Sequence, residues 1–333
     1  MPPSIASLDL PPFRPRFPWW GADLQTLANR FGGKPRLAPH TSERLRFALP
    51  DGTGDTLLAM IDRPQEPKAH APLVILIHGL TGSEDSSYIL SAARHLLDRG
   101  HRVLRLNLRG AGPSRRSCGG HYYAGRSQDF RALLQVLPPE LTRDGLAAVG
   151  YSLGGAMLLK YLGEEGASSP LEAAATVCAP IDLALTCKRI MERRNWLYHR
   201  HILGQMKGEA TGEGASLTAG ERSAIWGSRS IYDYDEVFIA PRHGFTGADD
   251  YYERCKPLRF LGGIKVPTLV LAAADDPWIP GAIYRAVEWA KNPALLPLLP
   301  DSGGHVGFHC RNCAQPWSDL AVAQFISTVS DVA

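Results

Sequence analysis

The sequence predicts an α/β fold in which a mostly parallel central sheet is flanked by helices, with an antiparallel hairpin at its N-terminal side and an inserted lid. Three observations support this prediction. Short, wholly apolar runs alternate with helical stretches, two segments of alternating polarity precede them, and residues 181–256 interrupt the pattern without a clear strand. Strands that are apolar throughout are buried on both faces, which is typical of a parallel sheet.

The predicted strands follow in chain order. Residues 43–49 alternate polar and apolar, residues 50–54 form a glycine-containing turn, and residues 56–61 return as the second arm of a hairpin. The apolar strands that follow are predicted at residues 73–77, 103–108, 147–151, 173–178, 268–273 and 295–299. We therefore expect four parts: an N-terminal extension that packs on the core (1–42), the first part of the core (43–180), the lid (181–256) and the second part of the core (257–333).

The predicted lid is rich in aromatic residues. An insertion of this size above the C-terminal edge of a sheet is typical of a segment that covers a site. For any single aromatic residue in it, packing between purely structural helices explains the pattern equally well.

Composition excludes several classes of protein. The 333 residues are 44% hydrophobic and 21% charged, with a formal net charge of +3, so we expect no nucleic-acid partner. The first twenty residues lack the basic start and the apolar stretch that a signal peptide has, so we expect none. No apolar run approaches the roughly 20 residues that span a bilayer. The six cysteines do not suggest a disulfide framework in a chain of this length, which predicts a reducing, cytoplasmic location. The oligomeric state is not predicted.

Residues 11–20 mix aromatic side chains with Arg14 and Arg16. Peripheral contact with a membrane surface is one interpretation. The prolines in this stretch disfavour the amphipathic helix that such contacts normally use, which favours packing on the core instead.

Residues 147–155 hold the strongest functional signal, a G-x-S-x-G turn between a predicted strand and a predicted helix. A serine on such a sharp turn needs neighbours without side chains, and Gly150 and Gly154 meet this need. Ser152 is therefore the candidate nucleophile. The Leu153 N–H, at the start of the helix, is a candidate donor to a developing oxyanion.

A nucleophilic serine needs a base and an orienting acid, which follow it along the chain in sheets with this elbow. His305 and His309 follow the last predicted strand, and His305 is favoured because glycines surround it. Asp276 is the candidate acid because Pro280 follows it in a D-x-x-x-P pattern; Asp275 is the alternative.

The second oxyanion donor is expected on the loop after the first parallel strand. Gly79 lets the backbone turn inward there, so the Leu80 N–H is the candidate. His78 is interpreted as a residue that fixes this loop. We expect no cofactor and no metal: Cys310 and Cys313 supply only half of the four ligands that zinc takes, and two free thiols are the favoured interpretation.

The chain also resembles a known family. The motifs that carry the resemblance, besides the elbow with Tyr151 before its serine, are FPWWGADLQT at 17–26, HGLTG at 78–82, NLRG at 107–110, YAG at 123–125 with Asp129, DEVF at 235–238, HGF at 243–245, the tyrosine pair at 251–252, ADDP at 274–277 and GGHVGF at 303–308. Together they are similar to the YheT-type branch of the α/β-hydrolases, which is related to the eukaryotic abhydrolase-domain esterases and lipases. The segment from Cys310 to Cys313 has no counterpart in this resemblance.

The resemblance implies an α/β-hydrolase fold and a Ser152, Asp276, His305 relay that cleaves small carboxylic ester substrates (EC 3.1.1.-), either short- to medium-chain acyl esters or monoacylglycerol-like molecules. Two alternatives stay open. One is a lipase, phospholipase or acyltransferase that uses the same relay on longer chains, and the other is a non-catalytic binding protein on the same scaffold.

Overall fold

The computed structural model of the protein describes residues 8–37 and 40–330. Parts of the predicted N-terminal extension (1–7 and 38–39) and the last three residues of the predicted second core part lie outside these ranges. Within the described ranges, no helix combines the length and apolar character that crossing a membrane requires.

One sheet organises the chain. Its eight strands are β1 (His40–Ala48), β2 (Thr56–Pro64), β3 (Leu73–Ile77), β4 (Val103–Leu106), β5 (Leu146–Tyr151), β6 (Ala173–Val177), β7 (Thr268–Leu271) and β8 (Leu295–Leu298). They are ordered β1-β2-β4-β3-β5-β6-β7-β8. β1 pairs antiparallel with β2 and β2 antiparallel with β4, whereas all later pairs are parallel. The predicted fold class, a mostly parallel sheet with an N-terminal antiparallel hairpin, is confirmed.

Helices cover both faces of the sheet. In the described residues they are α1 (Ala22–Phe31), α2 (Ser87–Leu97), α3 (Ser127–Val136), α4 (Pro139–Thr142), α5 (Leu153–Glu165), α6 (Leu183–Ile190), α7 (Trp196–Ala210), α8 (Ala219–Gly227), α9 (Ile231–Tyr234), α10 (Ala240–Arg242), α11 (Ala248–Cys255), α12 (Gly281–Arg285) and α13 (Trp317–Ser330). A π-helical turn, Asp235–Ile239, joins α9 to α10.

The central strands are buried along their whole length because helices pack on both sides of them. Every residue of β3, β4, β5, β6 and β7 is buried. Leu, Val, Ile and Ala fill most of these positions, and Arg105, Thr176 and Thr268 are buried polar exceptions, so the strands remove mostly apolar surface from water. Since β3, β5, β6, β7 and β8 run parallel, their carboxyl ends meet at one edge of the sheet, and the loops that follow them converge there.

A separate group of helices, α6 to α11, lies between β6 and β7 in the chain. Its buried side chains form an apolar cluster of their own, to which Ile202, Met206, Tyr234 and Tyr251 contribute. Leu80 and Leu153, from the loop after β3 and the start of α5, pack against this cluster. The inserted helices therefore stand over the edge at which the strand ends converge.

The segment before α1 runs along the core near the chain's C-terminal helix. The Trp317 indole N–H donates to the Pro11 carbonyl oxygen at 2.7 Å, and the Phe13 ring contacts both Phe308 and Trp317. Pro15 forms an isolated antiparallel bridge with Cys310. These contacts bring α1 beside the loop that follows β8.

Candidate active site

Ser152 lies on the turn between β5 and α5 with φ 50° and ψ −122°. This left-handed region is unfavourable for a residue with a Cβ atom, so the surrounding chain must impose it. A Cβ on Gly150 would approach the Gly154 carbonyl oxygen to 2.6 Å, and one on Gly154 would approach the His78 carbonyl oxygen to 2.4 Å. The two glycines thus permit the turn, which presents the serine hydroxyl above the sheet edge.

His305 follows β8 on a loop in which Gly303 and Gly304 have φ of 153° and 61°. Its Nε2 atom lies 2.9 Å from the Ser152 Oγ, and its Nδ1 atom lies 2.7 Å from the Asp276 Oδ2. With its proton on Nδ1, the neutral ring donates to the carboxylate and accepts the serine hydroxyl proton at Nε2. The structure therefore brings together three residues that are 124 and 29 positions apart in the sequence.

Asp276 is buried on the loop after β7, and its second oxygen accepts two backbone hydrogen bonds. The Trp278 and Ile279 N–H groups donate to Oδ1 at 2.8 and 3.0 Å. The neighbouring Asp275 faces a different group, because its Oδ1 accepts from the Gly304 N–H at 2.9 Å. Burial raises the pKa of Asp275 above its usual value. Asp276, and not Asp275, contacts the imidazole.

The loop after β3 lies directly against the serine. A Cβ on Gly79 would lie 3.0 Å from the Ser152 Cβ, so glycine allows this close approach without a shift of the serine. The Gly79 N–H donates to the Tyr88 hydroxyl at 2.9 Å, and the Thr81 N–H donates to the Tyr122 hydroxyl at 2.7 Å. Two tyrosines therefore hold the loop on either side of Leu80.

The other histidine candidates have structural partners. His78 is fully buried, with Nδ1 2.7 Å from the Gly79 carbonyl oxygen, and its Nε2 accepts from the Leu108 N–H at 3.1 Å. Burial lowers the pKa of His78 to about 4. His309 places its Nε2 3.2 Å from the Asn29 Oδ1, and burial lowers its pKa to about 4 as well. His309 therefore joins the C-terminal loop to α1.

Cys178, directly after β6, is a residue that the sequence reasoning did not single out for this site. Its Sγ accepts from the Val306 N–H at 3.4 Å and lies 3.7 Å from the Gly304 carbonyl oxygen. The thiol thus contacts the residues on either side of His305. The Trp278 ring lies against the imidazole, with centroids 4.3 Å apart. The sequence did not predict four residues that contact the site, because no local pattern identifies them: Tyr88, Tyr122, Cys178 and Trp278.

One group of potential metal ligands occurs in the described part of the chain: Cys178, Asp276 and His305, whose ligand atoms lie within 4.8 Å of one another. The donors do not suit a metal in this arrangement. Both imidazole nitrogens are already hydrogen-bonded, and burial keeps the pKa of the Cys178 thiol well above its usual value, which opposes the thiolate that a metal binds. Cys310 and Cys313 are free thiols, and the Sγ of each lies near the Arg311 carbonyl oxygen.

A cavity of about 400 Å³ opens at the serine. Its walls include Ser152, His305, Leu80 and Leu153, together with residues of α1, α6, α7, α9 and α11. Apolar side chains such as Ile202, Met206 and Ile231 line it between the inserted helices and the sheet. The cavity can therefore shield an apolar ligand from water while one end of that ligand reaches the serine hydroxyl.

Comparison with known proteins places this geometry in a family. Residues 72–309 match the model of the α/β-hydrolase fold. The chain is 30% identical to the Escherichia coli protein YheT, which carries the name of an esterase, over 92% of this chain and 90% of that one.

The chain belongs to the α/β-hydrolase family. It is an enzyme of the esterase and lipase type. A second relative is the medium-chain fatty acid ethyl ester synthase/esterase 2 of Saccharomyces cerevisiae, 32% identical over 78% of this chain, which spans 63% of the yeast protein's length. An esterase structure from Pyrococcus furiosus shares the fold with a TM-score of 0.57, at 16% identity over 89% of this chain and 99% of that one.

Proposed function

We propose that this α/β-hydrolase cleaves carboxylic esters, with Ser152 as nucleophile, His305 as general base and acid, and Asp276 as the group that orients the imidazole. The observation that carries the proposal is the continuous hydrogen-bonded series at the floor of the cavity. Its distances, 2.9 Å from serine to imidazole and 2.7 Å from imidazole to carboxylate, lie within the range over which a positioned base takes up a proton.

The chemistry follows from these positions. Ser152 Oγ attacks the ester carbonyl carbon while its proton passes to His305 Nε2, and the carbonyl oxygen becomes an oxyanion that the Leu80 and Leu153 N–H groups stabilise. The tetrahedral intermediate collapses, the C–O bond to the alcohol breaks, and the imidazolium returns the proton to the leaving oxygen. Water then attacks the acyl-enzyme by the same route, which releases the carboxylic acid and restores the serine.

The cavity supports the choice of substrate class. A space of about 400 Å³ with apolar walls suits a short- to medium-length acyl chain. The name of the yeast relative refers to medium-chain fatty acid ethyl esters, which supports the same range. In this proposal residues 181–256 act as a lid that excludes water from the acyl chain, and a monoacylglycerol-like molecule fits as a substrate.

A second activity, transfer of the acyl group to an alcohol instead of water, is favoured by one observation: the name of the yeast relative covers both synthesis and hydrolysis of esters. Both reactions share the acyl-enzyme. Hydrolysis of p-nitrophenyl butyrate in increasing ethanol distinguishes them, because transfer yields ethyl butyrate at the expense of butyric acid while p-nitrophenol release continues.

The proposal is tested by replacing the nucleophile. We expect Ser152→Ala to abolish labelling by a fluorophosphonate probe and to lower kcat on p-nitrophenyl butyrate by about 10⁴-fold or more, because no other group forms the acyl-enzyme. Circular dichroism and thermal unfolding check that the variant folds. Undiminished turnover in the pure, folded variant would show that another residue is the nucleophile.

A further inference from the structure

Six large apolar side chains are exposed on α1, on the segment before it and on α7, two helices that contribute walls to the cavity, and we refer to them together as the apolar rim. Its members, with the exposed fraction of each, are Phe17 (71%), Trp20 (61%), Leu24 (45%), Phe31 (69%), Trp196 (55%) and Leu197 (73%). The first four belong to α1 and the segment before it, and the last two belong to the first turn of α7. Several large exposed apolar side chains on segments that line a cavity indicate a site of interaction.

On α1, the exposed apolar residues form a stripe that leads to the cavity. Leu24, Leu27 and Phe31 are spaced i, i+3 and i+7, so they share one side of the helix. Leu27, in the middle of the stripe, lines the cavity. Gln25 and Ala28 are the buried residues of α1. The side of the helix that carries Gln25 and Ala28 is therefore turned inward, and the apolar stripe is turned partly outward beside the cavity.

On α7, too, an exposed apolar residue lies on the same side of the helix as a residue that lines the cavity. Leu197 and His201 are spaced i and i+4, and His201 lines the cavity. Asp23, near the start of α1, pairs with Arg194 just before α7 and accepts from the Tyr198 hydroxyl in its first turn. Arg30, near the end of α1, contacts His201 in the second turn of α7 at 3.1 Å, so the start of α7 lies beside α1. The cavity thus opens between two helices that both carry exposed apolar side chains.

Basic residues outnumber acidic ones in both segments that carry the apolar rim. Residues 8–37 contain two acidic residues, Asp9 and Asp23, and five basic ones, Arg14, Arg16, Arg30, Lys34 and Arg36. Residues 188–201 contain one acidic residue, Glu192, and five basic ones, Lys188, Arg189, Arg193, Arg194 and Arg200. The whole chain has a formal net charge of only +3, so these two segments are more basic than the rest of the molecule. The Arg200 guanidinium lies over the Trp196 ring, 5.7 Å from its centroid.

We infer that the apolar rim docks on the headgroup interface of an anionic phospholipid bilayer, so that ester substrates pass from the lipid into the cavity between α1 and α7. Aromatic and leucine side chains next to arginines are the combination that seats a helix in the headgroup region of an anionic membrane. The inference rests on the proposed ester hydrolysis for its substrate, but the docking itself does not depend on the chemistry.

A second copy of the chain is a less suitable occupant. In a two-fold symmetric dimer the same surface meets itself, which would bring the basic residues of one copy against those of the other. The like charges would repel, whereas anionic headgroups neutralise them.

Vesicle sedimentation tests the docking in a background without turnover. With Ser152→Ala protein, we expect binding to phosphatidylglycerol vesicles at least about 10-fold tighter than to phosphatidylcholine vesicles, and weaker binding in high salt because screening shortens the range of the attraction. Leu24→Ser, Phe31→Ser and Leu197→Ser, singly and combined, remove apolar area. We expect the triple variant to lose at least about 10-fold in affinity.

The matched control is Trp226→Ser on α8. Trp226 is 57% exposed, as large as any rim residue, and no residue of α8 lines the cavity. The Trp226→Ser variant should bind vesicles with the same affinity as the Ser152→Ala protein without that change. Equal loss in the control, absence of binding to phosphatidylglycerol, or a change of solution mass from dimer to monomer in the triple variant would each overturn the inference, the last in favour of a second copy.

A kinetic comparison links docking to catalysis. In the active protein the triple variant should keep kcat/KM for soluble p-nitrophenyl butyrate within about two-fold, while hydrolysis of an ester embedded in phosphatidylglycerol vesicles falls about 10-fold with the lost binding. Failure of the proposed chemistry is distinguishable, since vesicle binding by the Ser152→Ala protein would persist. Equal losses on both substrates would contradict the docking.

Discussion

The backbone at Ser152 adopts an unfavourable conformation that only its surroundings can maintain. Residues in such regions cost on the order of 1–3 kcal/mol, and they are concentrated at functional sites. Two glycines between an apolar strand and a helix were enough to predict this turn. The space that the turn requires is provided by Gly150 and Gly154, each two positions from Ser152. Cys178 and Tyr122 contact the site from distant parts of the chain, and no local pattern identifies them.

The sequence alone could not decide which of two neighbouring residues, Asp275 or Asp276, contacts the imidazole. Both follow β7, and the spacing to Pro280 favoured Asp276 without excluding its neighbour. The choice depends on which side chain points to the imidazole, and that depends on the backbone of the loop. In the structure the Trp278 and Ile279 N–H groups hold Asp276 in place, while Asp275 holds the Gly304 N–H.

At this scale we predict that Asp276→Asn lowers kcat by about 10⁴-fold, because an amide in that position favours the wrong tautomer of His305. Steady-state kinetics on p-nitrophenyl butyrate measure the effect. Asp275→Asn is the matched control, since it makes the same change one residue away and leaves the imidazole contact intact; we expect a loss of about 10-fold or less. If the two effects were reversed, Asp275 would be the orienting acid.

At the scale of elements, the apolar strands were predictable and some helices were not. The periodicity located β3 to β8 because these strands consist mostly of apolar residues. It missed α1, because the apolar residues of that helix point partly outward and prolines precede it. The arrangement of α6 to α11 was also beyond prediction, since packing among these helices and onto the loop at Leu80 decides it.

The inserted helices lead to a prediction about acyl-chain length. Ile202 and Met206 on α7 are buried and line the cavity. Replacing each by alanine removes apolar wall that a long acyl chain contacts and an acetyl group does not, with each buried methylene worth about 0.8 kcal/mol. We expect kcat/KM for the octanoate ester to fall about five-fold or more relative to that for the acetate ester.

The control for this prediction is Trp226→Ala. Trp226 and Phe245 are aromatic residues of the inserted segment, but neither lines the cavity. Trp226→Ala should therefore leave the ratio of octanoate to acetate activity unchanged. Equal losses for both esters in Ile202→Ala and Met206→Ala would mean that these side chains support the fold without contacting the acyl chain.

At the scale of the whole molecule, buried titratable groups make stability depend on pH. Burial lowers the pKa of five histidines from 6.5 to about 3 or 4: His78, His95, His121, His243 and His309. Burial also raises the pKa of three carboxylic acids to about 7: Glu209, Asp235 and Asp319. The two groups affect the free energy of unfolding in opposite directions.

As the pH falls from about 6.5 to 4.5, these histidines bind protons in the unfolded chain but stay neutral in the folded chain. They therefore make the free energy of unfolding fall as the pH falls. Over the same range the folded chain holds protons on the three acids that the unfolded chain releases, which makes stability rise as the pH falls. Each proton contributes about 1.4 kcal/mol per pH unit. Because the histidines outnumber the acids, the free energy of unfolding should increase with pH across this range.

Urea unfolding at a series of pH values measures this slope, and His95→Gln isolates one contribution. The ring of His95 is buried in α2, with its Nδ1 2.9 Å from the Arg99 Nη1. Since glutamine does not titrate, the variant should lose about 1.4 kcal/mol per pH unit of slope between about pH 4.5 and 6.5. The control is His70→Asn, which removes an exposed histidine and should leave the slope unchanged. His70 has φ 55°, a conformation that asparagine tolerates. An unchanged slope in His95→Gln, or stability that decreases with pH in the parent protein, would show that the buried histidines do not dominate.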